Sequence, residues 1–203
     1  MKSTRSVRIF TGISIGILSI SGISALAFTT VTASIEKIDA FAGLDKRPEK
    51  KSSAVNYLLV GSDTREGLTR AEQKELRVGS VKTAAGKRSD TMLLVHISKA
   101  RDKAVLVSIP RDSFALIPEH TNAQGKIIPA TYSKINSSFN WGGAPLLIKT
   151  LEQMTNLKID HYVEINFVGF ARMVDSLGGI EVCTKRDIDD PKSHLVLPAG
   201  VHT

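Results

Sequence analysis

A long uncharged stretch near the N-terminus constrains this chain more than any other feature of its sequence. From Ile9 to Ile35 there is no charged residue, and Ile, Leu, Val, Phe, Ala and Gly dominate, with Ser and Thr interspersed. About 20 apolar residues in a helix suffice to cross the hydrocarbon core of a bilayer, whereas the apolar region of a signal peptide is about 7–15 residues long. We therefore expect residues 9–35 to form a transmembrane helix. The alternative is a cleaved signal peptide, with Ala25–Ala27 or Val31–Ala33 as its cleavage box.

The charges around this stretch predict its orientation. Three cations precede it, with no acidic residue before Glu36; they are Lys2, Arg5 and Arg8. By the positive-inside rule, residues 1–8 form a cytoplasmic basic tail, and the chain is a single-pass protein of the cell membrane whose remainder lies outside the cytoplasm. Residues 36–53 carry charges of both signs and are typical of a polar stem, which leads to one extracytoplasmic domain over residues 54–203.

The composition fits a globular domain and narrows its chemistry only slightly. The chain has 203 residues, 42% of them hydrophobic, and a net charge of +7, to which the basic tail contributes. A mildly basic domain suits anionic partners such as phosphates, nucleic acid or acidic lipids, although charge that merely aids solubility explains the balance equally well. Cys183 is the only cysteine, which excludes an intramolecular disulfide and a cysteine-based zinc cluster.

Short apolar runs bounded by turn residues predict strands that alternate with helices. The predicted strands are Asn56–Val60, Thr91–Ile97, Ala104–Ile109, Lys158–Ile165 and Ile180–Cys183. The predicted helices are a short charged one over Thr69–Arg77, then Ala144–Asn156, and Phe167–Leu177, which Gly178-Gly179 terminates. The stretch Phe114–Trp141, rich in Pro, Gly, Asn and Ser, is expected to be a long loop with little regular structure. Strands that alternate with helices favour an α/β sandwich.

Arginine and aspartate residues recur at the ends of the first three predicted strands. They are Asp63 and Arg65 after the first strand, Arg88 and Asp90 before the second, and Arg111 and Asp112 after the third. If the second strand runs antiparallel to the other two, all six side chains converge at one edge of the sheet. Two carboxylates suit Mg²⁺, and arginine forks match phosphate oxygens bidentately. Any single pair is more simply a surface salt bridge worth about 0–1 kcal/mol, but three pairs at one edge favour a phosphate site.

Other polar and aromatic residues give weaker signals. Lys134 and Asn136 lie in the predicted loop and suit contact with a phosphate or a sugar, or simple surface exposure. Tyr132, Phe139 and Trp141 fit an apolar groove, or they anchor the loop to the core. The scattered histidines match neither a hydrolase triad nor a zinc motif, and no helix-turn-helix indicates a nucleic-acid partner.

Several of these segments, taken in order, resemble the LytR-CpsA-Psr (LCP) family of Gram-positive cell-envelope proteins. The segments that carry the resemblance are Asn56–Arg65, Arg88–Leu93, Ser108–Asp112, Lys134–Asn136, Gly142-Gly143 and Val174–Ile180, within residues 55–200. The resemblance implies a three-layer α/β sandwich with a central mixed sheet. It also implies a phosphotransferase that moves a glycopolymer, such as teichoic acid or capsule, from an undecaprenyl-pyrophosphate carrier to peptidoglycan.

The same resemblance implies roles for the site residues. Asp63 and Asp90 hold Mg²⁺, and Asp90 and Arg111 are catalytic, with Asp90 accepting the proton of the acceptor hydroxyl. The side chains expected at the pyrophosphate are Arg65, Arg88, Arg111, Asp112, Lys134 and Asn136. The implied partners are the polyprenyl-pyrophosphate-linked glycopolymer, peptidoglycan and the membrane, with no nucleic acid.

The sequence departs from the family pattern at two places. The stretch between Asp63 and Asp90 is longer than expected, as in a surface insertion. The chain ends at Leu197–Thr203, where the family continues with further helices and arginine motifs. We therefore expect a C-terminally truncated domain whose transferase activity requires the missing part. Two alternatives are a non-catalytic envelope regulator of the transcriptional attenuator type, and a lipid-pyrophosphate phosphatase that uses water as acceptor.

Overall fold

The computed structural model describes most of the predicted extracytoplasmic part of the chain. The described residues are Ser21 and residues 36–62, 89–122, 124–191 and 195–203. The chain divides into one unit over Met1–Asp39 and a larger compact unit over Ala40–Thr203. The predicted transmembrane helix, apart from Ser21, and the predicted charged helix Thr69–Arg77 lie outside the described residues. Within the described ranges, no helix combines the length and the apolar character needed to cross a membrane.

The larger unit alternates strands and helices along the chain. Its first strands are β1 (Val55–Ser62), β2 (Ser89–Ile97), β3 (Ala104–Ile109), β4 (Phe114–Ile117), β5 (His120–Thr121), β6 (Ile127–Ile128) and β7 (Thr131–Lys134). There follow α1 (Ile135–Thr155), β8 (His161–Asn166), α2 (Phe167–Ser176), β9 (Val182–Thr184), β10 (Ile188–Asp190), β11 (Leu195–Leu197) and β12 (Gly200–His202).

A four-stranded sheet in the order β3-β2-β1-β8 forms the centre of the described part of this unit. β2 runs antiparallel to both β1 and β3, whereas β8 runs parallel to β1. Every second residue of β1 is buried, which matches the two-residue repeat of side chains along a strand. The predicted α/β fold with a central mixed sheet is thereby confirmed.

Helix α1 covers one face of this sheet and supplies six of the fourteen buried residues that form the hydrophobic cluster in the described part of the chain. Its Leu147, Ile148 and Leu151 are fully or almost fully buried and pack with Leu58 and Met92 of the sheet. The helix is interrupted at Gly143, whose φ of 64° and ψ of −155° are non-helical. The second helical segment therefore begins at the position predicted from the Gly142-Gly143 pair, and its leucines face the core as their spacing predicts.

The prediction of a long loop over Phe114–Trp141 is wrong. Strand β4 pairs antiparallel with β7, and α1 already begins at Ile135. The polar composition of this stretch suggested a loop, but its polar side chains find hydrogen-bonding partners within the helix. The hydroxyl of Ser138, for example, donates to the carbonyl oxygen of Ile135 at 2.6 Å. Such back-bonding lets a serine remain inside a helix.

The C-terminal elements lie outside the central sheet. β9 pairs with β12 and not with β1 or β3, and it begins two residues after the start of the predicted strand Ile180–Cys183. α2 is capped by Asn166, whose side-chain oxygen accepts the backbone N–H of Gly169 at 2.8 Å. The helix ends as predicted before Gly178, where a φ of 81° favours glycine.

The segment predicted as a polar stem contributes to the core of the larger unit. Ala40 is only 4% exposed and belongs to the hydrophobic cluster, and Phe41 and Leu44 pack against that cluster. The compact unit accordingly begins at Ala40. Charge-rich sequence between residues 45 and 51 conceals these few apolar contacts, because composition over a window does not separate single buried residues from their polar neighbours.

Candidate functional site

Three strand ends meet at one edge of the central sheet. The last residue of β1, Ser62, pairs with the first residue of β2, Ser89, and Ile109 at the end of β3 pairs with Met92. The register between β1 and β2 shifts at Ser62, so that Asp90 is the extra residue of a bulge. Bulges are common next to functional sites because they redirect a side chain. The antiparallel arrangement on which convergence depended is therefore confirmed.

Arg111 and Asp90 form an ion pair at this edge. Nη1 of Arg111 donates to Oδ1 of Asp90, and the two side chains are 49% and 43% exposed. Pro110 ends β3, and the backbone N–H of Ser113 donates to the carbonyl oxygen of Pro110 at 2.9 Å, which turns the chain. A half-exposed arginine beside a half-exposed aspartate leaves the pair accessible to a solute.

A second ion pair lies next in sequence. Nζ of Lys134 is 3.0 Å from Oδ1 of Asp112, and both side chains are more than half exposed. The loop that carries Asp112 is held by the start of α1: the N–H of Ile135 donates to the carbonyl oxygen of Ser113 at 2.8 Å, and that of Asn136 to the carbonyl oxygen of Arg111 at 3.1 Å. Arg111, Asp112 and Lys134 are thus attached to one hydrogen-bonded junction, with Asp90 of β2 paired to Arg111.

The structure places some of the predicted site residues and not others. Asp90, Arg111, Asp112, Lys134 and Asn136 lie in the described residues, and the first four form the two ion pairs. Asn136 contributes a backbone hydrogen bond rather than a described side-chain contact. The predicted roles of three further residues remain predictions, because those residues lie outside the described ranges; they are Asp63, Arg65 and Arg88.

One of the two predicted magnesium ligands, Asp90, is described at this edge. Carboxylate oxygens are hard ligands, and Mg²⁺ is usually held by one or two carboxylates together with substrate phosphates. Asp90 offers such a carboxylate at this edge, and the second predicted ligand, Asp63, lies outside the described residues. Within the described ranges no three His, Cys, Asp or Glu residues are grouped closely enough to hold a metal ion by themselves.

Two features near this edge of the sheet were not predicted from the sequence. Ser89 is fully buried, and its hydroxyl has no hydrogen-bonding partner among the described residues. Phe114 and Tyr132 stack with ring centroids 5.3 Å apart, although both side chains are largely exposed. The continuous apolar run Phe114–Ile117 carried a signal for the second feature, since a short run of this kind is typical of a strand that is apolar on both faces.

The aromatic residues do not form the groove considered from sequence. Phe139 is 2% exposed and belongs to the core, whereas Tyr132 is 63% exposed. Trp141 stacks on His120 with ring centroids 5.7 Å apart. Phe139 therefore anchors the chain, and the three residues have separate surroundings.

A mixed sheet with aspartate and arginine at one edge, next to a helix start, defines an α/β protein with a site suited to phosphate groups. The sequence model of the LytR_cpsA_psr family matches residues 23–203. Because that match covers most of the chain, the protein belongs to the LytR-CpsA-Psr family. The resemblance inferred from the ordered motifs is thereby confirmed.

Curated relatives are named for cell wall biosynthesis and teichoic acid transfer. The chain is 38% identical over 149 residues to a probable cell wall biosynthesis protein, LcpB, of Corynebacterium glutamicum, which covers 73% of this chain and 33% of the relative. It is 33% identical over 162 residues to the polyisoprenyl-teichoic acid–peptidoglycan teichoic acid transferase TagT of Bacillus subtilis, covering 77% and 43%. The chain thus spans between a third and a half of the length of these relatives.

Solved structures share the fold. The LytR-CPS2A-psr family protein YwtF (TagT), with bound octaprenyl pyrophosphate lipid, superposes with a TM-score of 0.53 at 28% identity, covering 83% of this chain and 55% of that one. A second structure, TagT bound to LIIa-WTA, gives a TM-score of 0.53 at 27% identity, covering 83% and 52%. The central mixed sheet is therefore the arrangement found in the family.

Proposed function

We propose that this chain is the anchored, catalytic-site-bearing part of a phosphotransferase that attaches a glycopolymer to peptidoglycan from an undecaprenyl-pyrophosphate carrier. The observation that carries the proposal is the Arg111–Asp90 ion pair at the sheet edge where β1, β2 and β3 end or begin. The relatives support it, since TagT is named a teichoic acid transferase and one TagT structure holds a lipid pyrophosphate.

The reaction is a substitution at phosphorus. The oxygen of a peptidoglycan hydroxyl forms a bond to the phosphorus that carries the glycopolymer, and the bond from that phosphorus to the polyprenyl phosphate breaks. The hydroxyl proton passes to the carboxylate of Asp90, whose Oδ1 already accepts from Arg111. The polyprenyl phosphate leaves with the electron pair, so no nucleotide is consumed.

The cations hold the negative charge of the reacting groups. Arginine has five N–H donors in a planar fork, so Arg111 is able to contact phosphate oxygens while one nitrogen stays on Asp90. Lys134 adds a point charge beside Asp112 on the same junction. Phosphoryl transfer depends mainly on positioning and charge stabilisation, which these side chains provide. In the proposal Arg65 and Arg88 complete the group of cations.

Magnesium completes the proposed site. Asp63 and Asp90 would hold the ion, which when bound would neutralise charge on the pyrophosphate oxygens. The carboxylate of Asp90 is 43% exposed, and this leaves it accessible to a solvated cation.

The proposal also includes the location and the remaining architecture. The uncharged stretch Ile9–Ile35 anchors the chain in the cell membrane, with the larger unit outside the cytoplasm. A further layer on the sheet face opposite α1 would complete the three-layer sandwich implied by the family. These parts follow from sequence and family resemblance.

One assay separates transfer from the alternatives. The full chain in detergent, alone and mixed with the C-terminal half of a TagT-like relative, is incubated with a lipid-pyrophosphate-linked glycopolymer, Mg²⁺ and peptidoglycan. We expect polymer on the peptidoglycan, and loss of transfer in Asp90→Asn. Release of free polymer phosphate without attachment to peptidoglycan would show a phosphatase. Substrate binding without turnover in both incubations, with and without the C-terminal half, would show a regulator.

A further inference from the structure

Exposed cations are concentrated at the edge of the central sheet opposite the candidate site. Three segments lie at this edge: residues 45–51 before β1, residues 98–103 between β2 and β3, and residues 156–160 between α1 and β8. The Lys50 ammonium, 2.7 Å from Oδ1 of Asp160, joins the first segment to the third. We call the three segments together the basal surface.

Most cations of the basal surface have no ion-pair partner among the described residues. Arg47 and Lys50 are each paired with a carboxylate, whereas the other cations belong to none of the described ion pairs. These other cations, of which all but the partly buried Lys158 are exposed, are Lys46, Lys51, Lys99, Arg101, Lys103 and Lys158. The acidic residues of the same segments, apart from the paired Asp160, are Asp45, Glu49 and Asp102. The surface therefore keeps an excess of positive charge.

A small pocket lies within the basal surface. Its volume is about 80 Å³, which leaves room for a group of a few heavy atoms such as a phosphate. Three ammonium groups and one carboxylate line it, those of Lys50, Lys51, Lys158 and Glu49. The carbonyl end of α1 also borders the pocket at Asn156, but it carries only about half a negative charge. Ammonium groups around one small volume repel each other unless an anion lies between them.

The chain enters this unit close to the basal surface. The Arg47 guanidinium lies over the ring of Phe41, 4.6 Å from its centroid, and Phe41 follows Ala40, the first residue of the unit. In the sequence, residues 36–39 alone separate Ala40 from the uncharged stretch that ends at Ile35. Even fully extended, this connection spans at most about 18 Å. A chain anchored by the uncharged stretch therefore cannot carry Ala40 far from the bilayer.

We propose that the basal surface binds anionic phospholipid head groups of the bilayer, with one lipid phosphate in the pocket, an inference that rests on the membrane anchoring included in the proposed function. Basic side chains are attracted to an anionic bilayer when they lie within about one Debye length, about 8 Å at physiological salt. Lysine ammonium groups on flexible stems reach lipid phosphates without needing a fixed geometry. The positive charge and the short connection to the anchor thus favour the same partner.

Other occupants fit the basal surface less well. A divalent cation requires carboxylate ligands, and Glu49 supplies the single carboxylate that lines the pocket. An apolar ligand would leave three ammonium groups beside it without polar contacts. A soluble anionic polymer would satisfy the charges equally, but the short connection to the anchor favours a partner in the bilayer itself.

The basal surface is separate from the candidate phosphate site. Asp90 and His96, which lies at the basal end of β2 and lines the pocket, are about 20 Å apart at the usual rise of a strand. A docked basal surface would hold the Arg111–Asp90 pair at up to that height above the head groups, on the side of the proposed peptidoglycan acceptor. The polyprenyl chain of the proposed carrier would then extend along the domain.

Energy transfer to labelled head groups tests the docking. Cys183, the only cysteine, is replaced in Cys183→Ser, and a fluorophore is attached at Ala100→Cys in the exposed turn between β2 and β3. The full chain is reconstituted in vesicles that carry an acceptor dye on their head groups. One vesicle type is phosphatidylcholine alone, and the other contains phosphatidylcholine and phosphatidylglycerol in equal parts. We expect more energy transfer in the second type, and loss of the difference at high salt.

Matched charge variants separate the basal surface from net charge. The test variant combines Lys51→Gln, Lys99→Gln and Lys103→Gln, and should lower the ratio of docked to undocked protein at least about tenfold. The control variant removes the same charge from three exposed cations outside the basal surface and should leave the energy transfer unchanged. It combines Lys126→Gln, Lys185→Gln and Arg186→Gln.

The outcomes distinguish docking from its alternatives. Equal energy transfer in both vesicle types, or an equal loss in both triple variants, overturns the inference. So does binding of soluble poly(glycerol phosphate) that depends on the three basal lysines without a phosphatidylglycerol-dependent signal, which would assign the surface to an anionic polymer.

The proposed function is checked separately. Resistance to carbonate extraction from vesicles of phosphatidylcholine alone measures the anchor without the basal surface. Geranyl pyrophosphate binding that is retained in the basal triple variant and lost in Arg111→Ala would leave the proposed site standing whether or not the basal surface docks.

Discussion

The guanidinium of Arg47 holds the buried carboxylate of Glu152. Nη2 of Arg47 lies 2.7 Å from Oε1 of Glu152, and Nε contacts the same carboxylate at 3.1 and 3.2 Å. Oε1 also accepts the backbone N–H of Ile159 at 2.8 Å, and the Glu152 side chain is 3% exposed. The Arg47 guanidinium lies over the ring of Phe41 at 4.6 Å from its centroid. The segment before β1 is thereby attached to the helix that forms the core.

Arg47→Ala should destabilise the domain strongly. It leaves the Glu152 carboxylate buried with the Ile159 N–H as its remaining partner of those described, and breaking a buried ion pair costs about 3–5 kcal/mol. We expect a loss of about 3 kcal/mol in the free energy of unfolding, measured by urea denaturation. The matched control is Lys51→Ala, which removes an exposed cation from the same segment and should change stability little.

A double variant tests whether the loss comes from the uncompensated charge. Arg47→Ala combined with Glu152→Gln removes both charges, so its cost should be smaller than the sum of the two single costs. Additive costs would mean that the two side chains do not interact energetically, contrary to the bidentate contact.

Arg111→Ala should weaken pyrophosphate binding without unfolding the protein. Each charge-assisted hydrogen bond to a phosphate oxygen contributes about 1.5–3 kcal/mol, so we expect at least about a tenfold rise in the Kd for geranyl pyrophosphate. Arg111→Lys should recover only part of the affinity, because an ammonium lacks the planar fork. The control Lys99→Ala removes an exposed cation just beyond the far end of β2 and should leave the Kd unchanged. An unchanged Kd in Arg111→Ala would remove this residue from the proposed site.

The backbone conformation at Gly143 predicts that a side chain at this position lowers the stability of the domain. Its φ of 64° and ψ of −155° lie in a region that only glycine adopts without strain. Gly143→Ala should therefore lower the free energy of unfolding by about 1–3 kcal/mol, although the space around a new Cβ is open apart from Pro145 at 3.9 Å. Asn140→Ala, an exposed position in the same helix, should be neutral or slightly stabilising. Equal thermal unfolding of both variants would contradict a strained position.

Periodicity predicted the parts of the fold that depend on one face being buried. The apolar run through Leu58 and Val60 became a central strand, and the Gly142-Gly143 pair marked the break in α1. Both signals are local, since a strand alternates and a glycine permits a positive φ regardless of distant residues. The antiparallel pairing of β2 with β3 fits the short turn between them, which is closed by the Ser98 N–H and the Lys103 carbonyl oxygen at 2.9 Å; the pairing of β2 with β1 was only a condition of the prediction, and the structure supplies it.

The parts that were missed depend on partners remote in sequence. β4 and β7 are only four residues long, and β7 is polar in composition; the two strands pair with each other across an intervening segment. The burial of Ala40 likewise depends on the assembled sheet and helix, which no window of sequence contains. At the candidate site, the charged residues at the strand ends could be predicted from motif order. The pairing of Lys134 with Asp112 could not, because it requires the β4–β7 register.

Asp160 predicts how the stability of the domain depends on pH. Burial raises the pKa of its carboxyl group, but hydrogen bonds from the Lys50 ammonium and the Asn56 N–H, together with the charge of Lys50, outweigh burial and lower the pKa below its ordinary value of 3.8. The distances are 2.7 Å to Nζ of Lys50 and 2.9 Å to the N–H of Asn56. A carboxyl group with a lower pKa in the folded state stabilises the fold above its unfolded pKa, and this contribution is lost as pH falls through the folded pKa.

Asp160→Asn should therefore be less stable than the wild type at pH 7, and the difference should shrink as pH falls below 3.8. The measurement is urea unfolding of both proteins across this range, with Lys50→Met as the matched variant. That substitution keeps the carboxyl group but removes the cation that lowers its pKa, so the loss of stability in acid should be smaller than in the wild type. Parallel stability curves for the wild type and Asp160→Asn would show that the folded and unfolded states bind the Asp160 proton equally. The contacts of Asp160 with Lys50 and Asn56 would then make no pH-dependent contribution to stability.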